Sequence, residues 1–344
     1  MRRALRILLG LLAVLVILLL AVFGVAQTGF GKRQILALLE SEVADPPARL
    51  QAAALEGLVP FDMQLVGVSL SDQQGVWLEA DRAAITWSPM ALLGKTLRID
   101  ALDVDRLAVH RSLVSPPPQS ESAPPRFPTL PVDIDLRRLQ VDRLELGAEF
   151  LGEPVVFTLG AQARIGDPAQ GLQAVLHLKR TDRDNDTADL DLDYRPETDS
   201  LKLDVKTAEP QGGLITKMLG LPGKPDFRAT IAGEGPLDRW QAKGDASADD
   251  RPILQLTASS TGAATDRKIA FDVTLPNLPM LPETIGPLVQ GGIAASGTVH
   301  LAGAGGPIHI DTLKAETAAG IVSASGDVDP TGLLNLRVQS QLAD

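Results

Sequence analysis

Three places in the sequence carry residue types whose spacing could support chemistry, and each lacks an element that the chemistry requires. Gly94-Lys95-Thr96 has the ending of a phosphate-binding loop, where backbone N–H groups and a lysine cradle phosphates, but Pro89 stands where the opening glycine belongs. Asp182, Asp184 and Asp186 have the alternate spacing that opens a calcium loop. Thr187 replaces its turn glycine, however, and Asp193 stands where a bidentate glutamate closes the shell. A solvated hairpin tip accounts for the same aspartates. The four histidines, His110, His177, His300 and His309, show no ligand spacing along the chain, and His177 falls on the polar side of its strand. No Gly-x-Ser-x-Gly elbow occurs, and the carboxylates are scattered along polar faces, where solubility explains them. No catalytic residue, cofactor or metal ligand is assigned, and the chain is expected not to be an enzyme.

Composition excludes further classes. A net charge of −11 and a pI of 4.9 argue against a nucleic-acid partner, which calls for basic patches. Aromatic residues at 3% supply no stacking platform. Cysteine is absent, so disulfides, thiolate metal sites and cysteine nucleophiles are absent with it.

The element that places the rest is Ile7 to Ala26, twenty residues without a charge, preceded by Arg2, Arg3 and Arg6. A helix of that length spans roughly 30 Å, the thickness of the bilayer's hydrocarbon. With Ile7, Leu11, Leu15, Leu18, Val22 and Ala26 as its membrane-anchoring residues, it is expected to cross once. The preceding arginines keep the N-terminus in the cytoplasm and send the body outside it. A cleaved signal peptide is the alternative, given the small residues Gly24, Val25 and Ala26.

Next, Gly31 to Ala44 reads as a short amphipathic helix, resting at the membrane surface, capping the sheet that follows, or simply packing as an ordinary helix. From Phe61 the apolar period switches from helical to two, with a break expected at Gly67. A helical turn is expected over Met90 to Leu93. Leu102, Val104, Asp105, Arg106, Leu107 and Val109 recur 37 residues later as Leu139, Val141, Asp142, Arg143, Leu144 and Leu146, which indicates a repeated unit. Ser115 to Pro131 holds seven prolines in seventeen residues and cannot pair in a sheet.

Beyond residue 150 the alternation is regular. Leu176 and Leu178, Leu190 and Leu192, and Leu201, Leu203 and Val205 each alternate with polar neighbours. So do Phe271, Val273 and Leu275, then Val299 and Leu301, then Leu336 and Val338. This pattern predicts one dry and one wet face in antiparallel meanders, interrupted by short helices at Leu214 to Leu219 and Pro282 to Val289. At about 12 residues per strand and turn, roughly two dozen strands follow residue 60. An apolar face must be covered. The sheet either folds against itself as sandwiches or curls into a trough filled from outside.

A resemblance bears on that choice. Leu55-Glu56-Gly57, then Leu65 to Leu78 (LVGVSLSDQQGVWL), Ala84 to Leu93 (AITWSPMALL), Leu97 to Val104 (LRIDALDV) and Gly233 to Trp240 (GEGPLDRW) occur in that order. Together with the N-terminal apolar span they resemble the N-terminal portion of the TamB translocation-and-assembly proteins of the AsmA-like superfamily. The resemblance implies a mainly β protein: a transmembrane helix, then a long curved antiparallel sheet forming an apolar groove, with few short helices. It also implies a single-pass inner-membrane protein with its bulk in the periplasm. Such a protein moves phospholipids between inner and outer membranes and supports outer-membrane protein and autotransporter assembly with an outer-membrane barrel partner. The expected organisation is an anchor over 1–30, a helix and connector over 31–57, a first β segment over 58–114, a proline-rich loop over 115–131 and a continuing groove over 132–344. The strand pattern is still running at Asp344, so the groove is expected to extend past it. The alternating apolar residues named above are then the candidate lining for phospholipid acyl chains. Two alternatives remain: an assembly factor offering sheet edges to client strands without lipid transport, and a passive β-sandwich tether.

Overall fold

The computed structural model of the chain describes residues 21, 23–42, 49–112, 132–166, 171–183, 186–276, 292–302, 308–328 and 334–342. Ile7, Leu11, Leu15, Leu18 and Val22 of the expected anchor lie outside them, as do 115–131 and the expected helix over 282–289. Ala26 is described and half-buried in a helical turn over 23–27. Among the described residues no helix is long and apolar enough to cross a membrane. The protein is mainly β, antiparallel, with few short helices. It divides into two compact units, the first holding the strands up to residue 156, the second those from 157 onward.

The first unit begins with α1 (Gly29–Glu42), followed by β1 (Arg49–Gln51), β2 (Ala54–Leu58), β3 (Asp62–Asp72), β4 (Gly75–Ser88), β5 (Thr96–Val109) and β6 (Asp133–Leu146). α1 packs against the first strands, which fits both the capping and the ordinary packed helix. Leu36 is buried with Leu55 and Val59, and Ile35, Ala52, Met63 and Leu65 pack around them. Polar contacts fix the same approach. The Gln27 amide donates to the Val59 carbonyl at 2.6 Å and accepts from the Val59 N–H at 3.1 Å, while Lys32 Nζ donates to the Gly57 carbonyl at 2.7 Å. β3 does not break at Gly67 as the sequence predicts. Gly67 takes φ +61°, a conformation open to glycine, and pairing continues at Val68↔Ala80. The helical turn is a 3-10 turn over Pro89–Gly94.

The sequence echo occupies equivalent places in two 14-residue strands, β5 and β6, where Val104 and Val141 are both buried. Ion pairs tie these strands together. Arg106 reaches Glu145 Oε2 at 2.7 Å, and Arg143 holds Oε1 of the same carboxylate at 2.5 Å. These two guanidiniums, led by the Arg106 hydrogen bond, hold the Glu145 carboxyl at about 2, below its ordinary 4.5. A carboxyl depressed by folding contributes stability above its unfolded pKa and loses it as pH falls toward the folded one. Wild-type denaturation midpoints are therefore expected to fall between about pH 4.5 and 2. Glu145→Gln should flatten that part of the pH profile; an unchanged slope would show that the pair contributes nothing.

The second unit is a meander: β7 (Val155–Ile165), β8 (Leu172–Arg180), β9 (Thr187–Arg195), β10 (Ser200–Glu209), β11 (Phe227–Pro236), β12 (Arg239–Ala248), β13 (Arg251–Ala263), β14 (Asp266–Leu275), β15 (Ile293–Leu301), β16 (Ile308–Thr317), β17 (Gly320–Val328) and β18 (Leu334–Leu342). Each strand pairs antiparallel with its neighbours in sequence. A sandwich requires strands to leave for a second sheet; among the described residues of this unit none does. α2 (Ala148–Leu151) precedes β7, and α3 (Leu214–Met218) is the predicted helical interruption between β10 and β11. The described residues hold 18 strands, 16 of them after residue 60, fewer than the sequence spacing predicts there. Many run to ten residues or more, so each takes up more chain than the spacing allowed.

Candidate functional site

In an antiparallel ladder, residues directly opposite share a face, so register converts alternation along strands into rows across them. One row runs Ala163, Ala174, Leu192, Leu203, Gly233, Ala242, Ala258, Phe271, Gly297, Leu313, Ala324 and Val338. It crosses all strands from β7 to β18 without a polar side chain. The row beside it includes Leu176, Leu190, Val205, Ile231, Leu256 and Val273 and stays apolar to Val322 on β17, meeting Ser340 only on β18. At about 4.8 Å per strand, each row is about 50 Å long along the sheet.

Every candidate lining residue lies on this face. Leu178, Leu275, Leu201, Val299 and Leu336 stand two residues from row members on their own strands, and Leu301 two beyond Val299. Leu275 also lines a cavity of about 370 Å³ with Ile293, Glu316 and Thr317. The opposite face carries the charges. Lys202 pairs with Asp191 at 2.5 Å, Lys206 with Asp204 at 3.0 Å and His177 with Asp189 at 2.7 Å. Asp193 is held below the usual carboxylate range chiefly by its hydrogen bond from Arg195.

The apolar face curls. Arg267 of β14 forms an ion pair with Asp199, in the turn before β10, 68 residues away. On a flat sheet these strands are four spacings, about 19 Å, apart. That exceeds the joint reach of the two side chains, so the face must fold inward. The composition of β12 allows it: Ala242, Gly244, Ala246 and Ala248 are its inward residues, and the three alanines are buried. Trp240 lies across Gly233, where an added Cβ would meet its ring at 2.6 Å, and donates Nε1–H to the Leu201 carbonyl at 2.9 Å. Toward β18 the face opens, and Val322 and Val338 are 49% and 63% exposed.

At the end of β10, buried Glu209 accepts from the backbone N–H groups of Ile215 at 2.9 Å and Thr216 at 2.7 Å, fixing the start of α3, whose Leu214 is buried. Asp182 and Asp186, considered above for calcium, receive the buried Arg180 instead, at 2.9 and 3.3 Å. Burial pushes the Asp186 carboxyl up. Asp184 lies outside the described residues.

No known family, curated protein or solved structure matches the chain. The sequence reading missed Arg267, Asp199, Trp240 and Glu209. The first two are joined only through the curl, but the alternate small residues of β12 were a readable sign of it.

Proposed function

We propose that the apolar face of the second unit binds phospholipid acyl chains and carries them between the inner and outer membranes. Ile7 to Ala26 would anchor the chain in the inner membrane and leave the bulk in the periplasm, where an outer-membrane barrel would be its partner in outer-membrane protein assembly. The supporting observation is the twelve-strand row without a polar side chain. An acyl chain gains about 0.8 kcal/mol for each methylene buried on such a surface and needs no polar contact. The row exceeds the length of a single tail, which suits movement along it. The resemblance to TamB proteins points the same way. Extraction of the purified full-length chain, with phosphate and mass analysis, should return at least one phospholipid per chain; a lipid-free, folded protein would overturn the reading.

A second reading has its own observation. β18 pairs with β17 on one side, and every one of its residues from Leu334 to Leu342 is exposed. An exposed strand of this kind can take up a client strand through backbone hydrogen bonds. It predicts peptide binding without bound lipid.

A further inference from the structure

His300 and His309 stand directly opposite each other on β15 and β16, on the charged face. Such partners have Cβ atoms about 4.5–5.5 Å apart, a separation that lets two imidazoles reach one ion. Asp311 lies between their tips, its Oδ2 3.0 Å from His300 Nε2 and its Oδ1 3.6 Å from His309 Nε2. A bulge places it there. β16 shifts register against β15 between Thr298 and Val299 and against β17 between Ile310 and Leu313, which leaves Asp311 an extra residue turned toward the histidines. Each ring's other nitrogen faces a carboxylate. His309 Nδ1 is 2.6 Å from Asp327, and His300 Nδ1 is 3.6 Å from Asp266. Imidazoles that ligate metals are oriented by carboxylates in this way, which aims Nε2 at the ion.

From this geometry we propose a divalent transition-metal site, of the zinc class, formed by His300 Nε2, His309 Nε2 and the Asp311 carboxylate. Bonds of about 2.0–2.1 Å place tetrahedral ligands about 3.3 Å apart, between the two separations seen here. As the side chains stand, no group of three such residues among the described ones is placed to hold a metal ion, so this site forms only on loading. Here the Asp311 carboxylate lies where the ion would sit, so loading requires small rotations of exposed side chains. The remaining neighbours are Lys268, 4.0 Å from Asp311, and the Lys314–Glu316 pair on β16. Ligating imidazoles must be neutral, so protons compete for the site as pH falls.

The test is zinc titration of the full chain, without an added histidine tag, by calorimetry and by the visible spectrum of the cobalt-loaded form. One equivalent should bind, with proton release. His300→Asn and His309→Asn should each weaken binding at least about 100-fold, and Asp327→Asn about 10- to 100-fold. His110→Asn and His177→Asn, single histidines each beside one carboxylate, should change nothing. Thermal unfolding in chelator checks that all variants are folded. No saturable zinc binding, or binding untouched by the His300 and His309 replacements, would overturn the proposal.

Discussion

Leu203→Asp is expected to keep the protein folded while removing most of its bound phospholipid. Leu203 sits half-buried between Leu192 and Gly233 in the apolar row. A carboxylate sealed there in a sandwich core would cost several kcal/mol and unfold the unit. On a single curled layer the side chain can turn toward the open face and stay hydrated. The loss of stability should then be about 1 kcal/mol, a midpoint shift of about 2–4 °C for a unit of this size. A passing acyl chain has no such escape, because it must strip water from the charge. Lipid content should therefore fall by about tenfold or more, the ratio that 1.4 kcal/mol sets. The control is Asp204→Leu on the charged face, which gives up a partly exposed pair with Lys206 worth less than about 1 kcal/mol and should leave lipid unchanged. Unfolding of Leu203→Asp would restore the sandwich, and unchanged lipid would remove this row from the path.

Glu209→Ala should be the most destabilising single change in the second unit outside its apolar rows. Its carboxylate is the acceptor for two backbone N–H groups at the start of α3, and the Thr216 N–H is fully buried. Stranding a buried donor costs about 1–3 kcal/mol, and only the Thr216 N–H is buried, so the loss should be about 1–3 kcal/mol in urea denaturation. Glu209→Gln keeps one acceptor oxygen and should lose about half as much. A midpoint for Glu209→Ala within error of wild type would mean that α3 is held by Leu214 alone.

What the sequence made legible follows from the period of a strand. Alternation in segments such as Leu201-Lys202-Leu203-Asp204-Val205 assigns faces without knowledge of any partner. The echo between Leu102 and Val109 and its copy between Leu139 and Leu146 located two equivalent strands for the same reason. Rows were not legible, since they depend on which residue of the next strand stands opposite. His300 and His309 show the difficulty. Nine residues apart, they match no spacing along a chain, and only the β15–β16 register makes them neighbours. Bulges are harder still, because nothing local announces that Asp311 will be the extra residue. Arg267 carries no signal along the chain, since its partner is supplied by curvature, a property of β12 and its alanines rather than of β14.

A meander in which each strand touches only the strands before and after it behaves as a nearly one-dimensional array, in which order can start at any hairpin and spread hairpin by hairpin. The Arg267–Asp199 ion pair breaks that locality by closing a ring of contacts around β10 to β14. Strands inside the ring must open together, because fraying any one of them opens the ion pair as well, whereas β15 to β18 lie outside it and can open without breaking that pair. The unit thus contains a cooperative kernel with an unzippable flank, and the flank is the part whose apolar face lies most open.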